Sequence, residues 1–311
     1  MTIIKFPHRW QNGNCRIDIY EDGTKYRTWP DGAEPQPRYP ESLDLLITKM
    51  CTIGCSFCYM NAQPNGAHAD LDWLKFSLAK LPAGVELALG GGDPLAYPQL
   101  EELLKWCRNR GLICNITIRN CGDNLAPVYE LQKRNLVQGV GISGWDNYFD
   151  RNYAGKKPRN VVYHYIMGID NPLDVVDDVH YLTRLYSDNY HSQLPGILIL
   201  GYKHTGRAAN TQPNIDLWHY WWPRIANNGS MKIAFDNLAI DQLDLPYWFK
   251  SHDKYAQYQA RYMGADGEFT MYVNGVDRTY AVNSVSDEMP FDELNIADAF
   301  TSLQRDQRGL L

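Results

Sequence analysis

Between about residue 42 and residue 240, short β-rich runs alternate with stretches that read as helix or loop. This alternation constrains the fold more than any other feature, because it is typical of parallel strands joined by crossover helices. Seven runs have the composition of strands, and most are continuous in Val, Ile and Leu, which indicates strands covered on both faces. These runs are Leu43–Lys49, Val85–Leu89, Leu112–Ile118, Val137–Ser143, Val161–Gly168, Ile197–Tyr202 and Lys232–Phe235.

Helix candidates occupy the spaces between these runs. One of them contains Pro223, which is expected to interrupt it. The sequence therefore predicts an α/β fold, a partial (β/α)6 barrel of the TIM type. The helix candidates are Asp70–Lys80, Pro98–Arg110, Asn124–Arg134, Pro172–Tyr186 and Asp216–Ala226.

The two ends of the chain have hairpin patterns instead. Cys15–Trp29 contains two β-rich runs around a Glu-Asp-Gly turn, and Phe269–Val282 contains two runs around Asn-Gly. We therefore expect three parts. They are an N-terminal β-hairpin extension at 1–40, the partial barrel at 41–240, and a C-terminal capping segment with a helix and a β-hairpin at 241–311.

Composition limits the possible functions. The chain has 311 residues, of which 44% are hydrophobic, and this is enough to bury a substantial core. It has no apolar run long enough to span a membrane, and its first residues lack the apolar stretch of a secretion signal, so we expect a soluble, cytoplasmic protein with no membrane partner. A net charge of -6 disfavours a broad basic face for duplex nucleic acid.

A compact cysteine motif directly follows the first barrel strand. Cys51, Cys55 and Cys58 have the spacing Cys-x3-Cys-x2-Cys, and three thiolates on one loop can bind three irons of a cubane cluster. The fourth iron then has no protein ligand from this loop and is open to a small molecule. Two alternatives are a structural zinc ion, which needs a fourth ligand such as His68, and three unrelated core cysteines. The odd total of seven cysteines argues against a disulfide framework.

This motif resembles the signature of the radical S-adenosylmethionine superfamily, in which an aromatic residue, here Phe57, precedes the third cysteine. The resemblance spans roughly Leu43 to Phe235 and is to compact single-cluster members of the kind found in phages and bacteria. It implies a [4Fe–4S] cluster on Cys51, Cys55 and Cys58, which are then both metal ligands and catalytic residues. It also implies S-adenosylmethionine, cleaved reductively to a 5′-deoxyadenosyl radical that abstracts hydrogen from a substrate, and an electron donor such as flavodoxin or ferredoxin.

The resemblance also suggests further cofactor contacts. Gly91-Gly92-Asp93-Pro94 is similar to the family's Gly-Gly-Glu-Pro stretch, which binds the methionyl amino group, although Asp93 departs from the usual Glu. Phe57 and Tyr59 are candidates for the adenine side, and polar residues at strand ends are candidates for the ribose and carboxylate. His164 is either such a contact or a hydrogen-bonded core histidine. The predicted cofactor residues are Phe57, Tyr59, Gly91, Gly92, Asp93, Thr117, Asn120, Ser143 and His164.

Three polar residues at the ends of the sixth and seventh strands, Lys203, Asp236 and Asn237, are predicted to face the substrate. The first hypothesis for that substrate is a nucleobase or nucleotide, free or within a nucleic acid, that undergoes rearrangement or modification. The alternatives are modification of a peptide or amino-acid side chain, and a non-catalytic iron–sulfur sensor. No cysteine follows Cys121, which disfavours peptide-modifying enzymes that carry auxiliary clusters.

Overall fold

The N-terminal part of the chain forms a small antiparallel sheet. In the computed structural model, which describes residues 4–119, 125–144, 158–187, 195–227, 231–292 and 294–307, this sheet has the order β1-β2-β3. The last two strands form the predicted hairpin, and the first strand was not predicted. The strands are β1 (His8–Asn12), β2 (Cys15–Ile19) and β3 (Lys25–Thr28).

The main sheet contains seven consecutive parallel strands in chain order. Six connections join them, which fits the predicted α/β fold with six βα units. The sheet stays open, because its last parallel strand is an edge strand. The strands are β4 (Ser42–Thr48), β5 (Glu86–Gly91), β6 (Ile113–Arg119), β7 (Val140–Ser143), β8 (Val161–Ile166), β9 (Gly196–Leu200) and β10 (Lys232–Phe235).

Helices cover one face of this sheet and bury the apolar core. On β4, for example, Leu43, Leu45 and Ile47 pack into that core, whereas Asp44 and Thr48 point to the opposite face. We call this opposite face the inner face. The covering helices are α1 (Leu71–Leu78), α2 (Leu100–Arg110), α3 (Leu125–Lys133), α4 (Pro172–Ser187) and α5 (Asp216–Ala226).

The inner face differs from the prediction of strands covered on both faces. Its positions on β6, Asn115, Thr117 and Arg119, are half-buried and polar, whereas the alternate positions are buried and apolar. The predicted interruption at Pro223 was also wrong, because α5 continues through it to Ala226. Pro223 removes the hydrogen bond that its N–H would donate to the carbonyl of His219, and the helix continues for three residues beyond it.

The C-terminal segment adds to the main sheet. Its first strand pairs in parallel with β4, and the predicted hairpin continues the sheet on that side. As a result β4 has partners on both sides. None of the described helices is long and apolar enough to cross a membrane. The elements are α6 (Asn237–Gln242), α7 (Leu245–Ser251), α8 (Tyr255–Gln259), β11 (Thr270–Asn274), β12 (Thr279–Ala281), β13 (Met289–Pro290) and α9 (Ile296–Gln307).

Candidate active site

The three-cysteine loop, residues 49–62, follows β4 and contains no regular helix or strand. The backbone N–H of Cys51 donates to the carbonyl of Gln63 over 2.9 Å, and the N–H of Cys58 donates to the carbonyl of Cys55 over 3.3 Å. All three cysteines are half-buried and free of disulfides. The loop therefore presents three unoxidised thiols from one compact turn at the end of a barrel strand.

The surroundings of these thiols bear on the cluster and zinc hypotheses. Among the described residues, no three His, Cys, Asp or Glu side chains lie close enough to hold a single metal ion. His68, the candidate fourth zinc ligand, instead has its Nδ1 2.8 Å from the hydroxyl of Thr48. In a cubane cluster the three thiolates do not converge on one ion, because each thiolate binds a different iron. The three thiols match the ligand number that the predicted cluster needs, and His68 is engaged with Thr48.

The glycine run at the end of β5 packs against the backbone that leads into Cys51. The N–H groups of Gly92 and Asp93 donate over 2.7 Å to the carbonyls of Thr48 and Met50, respectively. A Cβ on Gly91 or Gly92 would overlap those same carbonyls. These two predicted cofactor residues are thus glycines for a reason that the sequence did not reveal, since close packing of two strand ends requires them.

Asp93 has a local structural contact. Its side chain accepts a hydrogen bond from the N–H of Leu95 over 3.0 Å and caps the 3₁₀ turn Pro94–Ala96. Burial raises the pKa of the Asp93 carboxyl, and the Leu95 hydrogen bond only partly opposes that shift. The neighbouring Gly90 has open space where a side chain would lie. The open part of this strand end is therefore at Gly90.

Two aromatic residues of the three-cysteine loop face cations from the strand ends. The guanidinium carbon of Arg119, at the end of β6, lies 5.0 Å from the ring centroid of Phe57. The ammonium of Lys203, after β9, lies 4.3 Å from the ring centroid of Tyr59. Both distances suit a cation–π contact. These cations place positive charge beside a loop whose thiolates would carry negative charge.

Thr117 and His164 meet on the inner face across a glycine. They flank Gly141 on the middle strand, and a Cβ there would overlap the His164 ring and crowd the Thr117 hydroxyl. Burial and then the charge of Lys203 lower the pKa of His164 to about 4. His164 is therefore a neutral imidazole at pH 7. It faces the same side of the sheet as Thr117 and does not pack among the helices.

Ser143 ends β7 in register with Arg119 on one side and His164 on the other. It is half-buried at the edge of the inner face, at the strand end where the sequence predicted a polar cofactor contact. Asn120, the other residue predicted at this edge, lies outside the described residues, as does Cys121. Ser143, Thr117 and His164 thus form one continuous polar strip across three neighbouring strands.

A group of charges surrounds Lys203 on the inner face. Its ammonium donates to the hydroxyl of Ser284, from the C-terminal segment, over 2.7 Å. Burial disfavours the charged ammonium, yet the pKa of Lys203 is raised, because Tyr59 and three carboxylates outweigh that cost. The carboxylates are those of Asp44, Asp236 and Asp266.

The other two predicted substrate residues make structural contacts. Asp236 accepts hydrogen bonds from the N–H groups of Gly201 and Ala239 over 2.9 and 2.7 Å and so caps α6. Burial raises its pKa despite these bonds. Asn237 donates to the carboxylate of Asp266 over 2.6 Å. These residues join the end of the barrel to the C-terminal segment.

Asp44 is a site residue that the sequence reading missed. Its side chain is exposed to solvent, yet the protein around it raises the pKa of its carboxyl against the attraction of Lys203. The carboxyl thus reaches solvent on the inner face while the surrounding protein disfavours its charged form. An acidic residue within the apolar run Leu43–Ile47 was the available signal, because such a residue is costly unless its face is polar or solvated.

No protein-family model matches this chain. PqqA peptide cyclase of Methylorubrum populi is 30% identical over 118 residues, which are 34% of this chain and 31% of that protein. The matched relative and the Cys-x3-Cys-x2-Cys loop point to the same family. The chain spans about a third of the length of this relative, and the match supports the resemblance to the radical S-adenosylmethionine superfamily.

Solved structures of SuiB share the fold of this chain. SuiB of Streptococcus suis has a TM-score of 0.65 at 9% identity, covering 99% of this chain and 90% of SuiB. SuiB bound to the precursor peptide SuiA has a TM-score of 0.60 at 12% identity, covering 85% and 65%. SuiB bound to S-adenosylmethionine has a TM-score of 0.59 at 12% identity, covering 88% and 68%.

These comparisons decide several of the predictions. The α/β fold is confirmed, and the similarity to these proteins supports the predicted radical S-adenosylmethionine enzyme class with its [4Fe–4S] and S-adenosylmethionine cofactors. The nucleotide substrate and the phage-like origin find no support, because the matched proteins are bacterial and two of their descriptions name a peptide. The alternative, peptide modification, fits better.

Proposed function

We propose that this chain is a radical S-adenosylmethionine enzyme that abstracts hydrogen from a peptide. One observation carries the proposal: three free thiols on one loop stand at the end of an open parallel sheet whose inner face is polar and reaches solvent at Asp44. The names of the peptide cyclase and of the SuiA complex support the choice of substrate class.

Cys51, Cys55 and Cys58 would hold the cluster. When bound, the cluster and S-adenosylmethionine supply one electron and a 5′-deoxyadenosyl radical. The protein itself would orient the substrate against the cofactor and exclude water. Gly90 leaves room at the end of β5, and the neutral His164 can donate or accept a hydrogen bond without adding charge.

The inner face also suits a peptide chemically. Asp44 offers carboxyl oxygens that can accept hydrogen bonds from amide or side-chain donors, and the positive charge of Lys203 lies among nearby acidic residues. The electron would come from a flavodoxin or ferredoxin. The division into N-terminal extension, barrel and C-terminal capping segment also remains a proposal.

The first test is cleavage of S-adenosylmethionine. Anaerobic protein reconstituted with iron and sulfide, and supplied with dithionite, is expected to release 5′-deoxyadenosine. Cys55→Ala should abolish both the iron–sulfur absorbance and this product, because the cluster loses one of three ligands. Cys107→Ala is the matched control, since Cys107 is buried in the core away from the loop. Retained cleavage by Cys55→Ala would refute the assignment, and an intact cluster without cleavage would favour the sensor.

The second test addresses the substrate class. Short peptides encoded beside the gene are incubated with the reconstituted enzyme, and mass spectrometry records loss of hydrogen or incorporation of solvent deuterium. A mononucleotide mixture and a short single-stranded DNA are run in parallel. Modification of the peptide alone supports the proposal, whereas modification of a nucleotide or the DNA alone contradicts it.

A further inference from the structure

Arg207, in the 3₁₀ turn that follows β9, makes four hydrogen bonds to the three-cysteine loop. Its Nε donates to the carbonyl of Cys55 over 2.8 Å, and its Nη1 donates to the side chain of Asn61 over 3.1 Å and to the carbonyl of Ala62 over 2.9 Å. Its backbone N–H donates to the carbonyl of Cys58 over 3.0 Å. Arg207 thus contacts the backbone of two predicted cluster ligands, Cys55 through its side chain and Cys58 through its own backbone N–H.

The two residues before Arg207 also contact the loop. The hydroxyl of Thr205 donates to the carbonyl of Tyr59 over 3.0 Å. Gly206 has a φ of +56°, and a Cβ on it would overlap the carbonyls of Tyr59 and Cys58. Only glycine permits both this backbone conformation and this close approach. Thr205, Gly206 and Arg207 form one contact unit, which we call the loop clamp.

From these contacts we infer that Arg207 is a positioning residue that holds the three-cysteine loop in its cluster-binding conformation. The loop has no helix or strand of its own, and its carbonyls need donors from elsewhere. Arg207 is 152 residues from Cys55 in sequence, so the clamp links the cluster ligands to the far side of the sheet. This inference rests on the proposed function, because it assumes that the loop binds a cluster.

The guanidinium contributes both geometry and charge. Its planar fork donates in several fixed directions at once, which the single ammonium of lysine does not reproduce. Its positive charge beside the loop also favours the more negative, reduced state of a bound cluster, since charge and hydrogen bonds near the ligands set the cluster potential. Removing Arg207 should therefore weaken retention of the cluster and make its reduction potential more negative.

The test compares three variants of the full chain, Arg207→Gln, Arg207→Lys and Gly206→Ala. After anaerobic reconstitution, the rate of iron transfer to a chelator is measured together with the midpoint potential by redox titration monitored with electron paramagnetic resonance. Loss of iron is expected to be about 10–100-fold faster in all three variants, as for other residues that support metal ligands. The potential should fall in Arg207→Gln and stay nearer to the wild-type value in Arg207→Lys.

Two control variants match these changes. Arg9→Ala removes an exposed arginine from the N-terminal sheet, and Gly32→Ala replaces a glycine of similar φ, +75°, that has nothing within 4 Å of an added Cβ. Both should retain iron as the wild type does. Circular dichroism of the metal-free proteins checks that each variant is folded.

The outcomes separate the two claims. Wild-type protein that binds no iron would overturn the proposed function and the clamp together. Wild-type protein with a stable cluster, combined with folded Arg207→Gln that keeps wild-type iron retention and potential, would overturn the clamp alone. Full rescue of iron retention by lysine would likewise overturn the role given to the guanidinium fork.

Discussion

His164 and Asp44 illustrate how the inner face changes the chemistry of single residues. Both lie on strands whose other side chains are mostly apolar, and both project away from the helices. The surrounding protein reduces the hydration of both charged forms, which lowers the pKa of His164 and raises that of Asp44. In each case the neutral form is favoured, because protein surrounds a group that water reaches only from one side.

The lowered pKa of His164 has a consequence for stability. The unfolded chain takes up a proton near the ordinary pKa of 6.5, whereas folded His164 does so only near pH 4. The contribution of His164 to the free energy of unfolding is therefore complete above pH 6.5 and is lost as the pH falls toward 4. We expect this contribution to be about 1–2 kcal/mol smaller at pH 5 than at pH 7.

Urea unfolding of the wild type and of His164→Gln at pH 7 and pH 5 measures this difference. The variant should lose less stability than the wild type between the two pH values. His219→Gln, which removes an exposed imidazole from α5, is the control. Equal losses in wild type and His164→Gln would contradict the prediction.

At the scale of elements, the end of β5 packs closely against the end of β4. Their parallel pairing brings Gly91 opposite Thr48, and the chain then enters the three-cysteine loop. Gly91 has a φ of +119°, which L side chains rarely adopt. The glycine run therefore sets the starting geometry of the loop as well as leaving space at Gly90.

Gly91→Ala should test this fit. Strain from the positive φ and overlap with the Thr48 carbonyl are expected to lower the free energy of unfolding by about 2 kcal/mol or more. Gly90→Ala, on the same strand with open space at the Cβ position, should change it by less than about 1 kcal/mol. Chemical denaturation of both metal-free variants gives the comparison, and equal effects would count against this account.

At the scale of the whole molecule, Arg27 joins three parts of the chain. Its guanidinium pairs with Glu41 over 2.6 Å, donates to the carbonyl of Met263 over 3.0 Å, and lies 3.3 Å from the ring centroid of Phe269. Glu41 is 1% exposed and directly precedes the first barrel strand. The N-terminal sheet, the barrel and the C-terminal segment therefore meet at one buried ion pair.

Arg27→Ala should destabilise the whole fold. It would leave the Glu41 carboxylate buried without its partner, at a cost of about 3 kcal/mol in the free energy of unfolding. Arg9→Ala removes an arginine whose side chain is 59% exposed in its pair with Asp18, and should cost less than about 1 kcal/mol. Similar losses in the two variants, measured by urea unfolding, would rule out a special role for Arg27.

The sequence by itself determined the features that depend on residues close together in the chain. The order of strands and helices, the Cys51-to-Cys58 spacing and the glycine run each depend on local pattern, and each was readable without a structure. The resemblance to the radical S-adenosylmethionine superfamily, and the cofactors it implies, rested on them. The sequence did not determine the substrate class, because nothing in the local pattern near the strand ends distinguishes a nucleotide from a peptide.

Only the tertiary structure decided which distant residues meet. Arg207 reaches the three-cysteine loop, Lys203 and Arg119 reach its aromatic residues, and β11 pairs with β4. The physical reason is that such contacts depend on strand register and on which face of a strand a side chain takes, and both are fixed by packing of the whole sheet. Arg207, which no local sequence pattern singles out, is thereby brought to the backbone of the predicted cluster ligands.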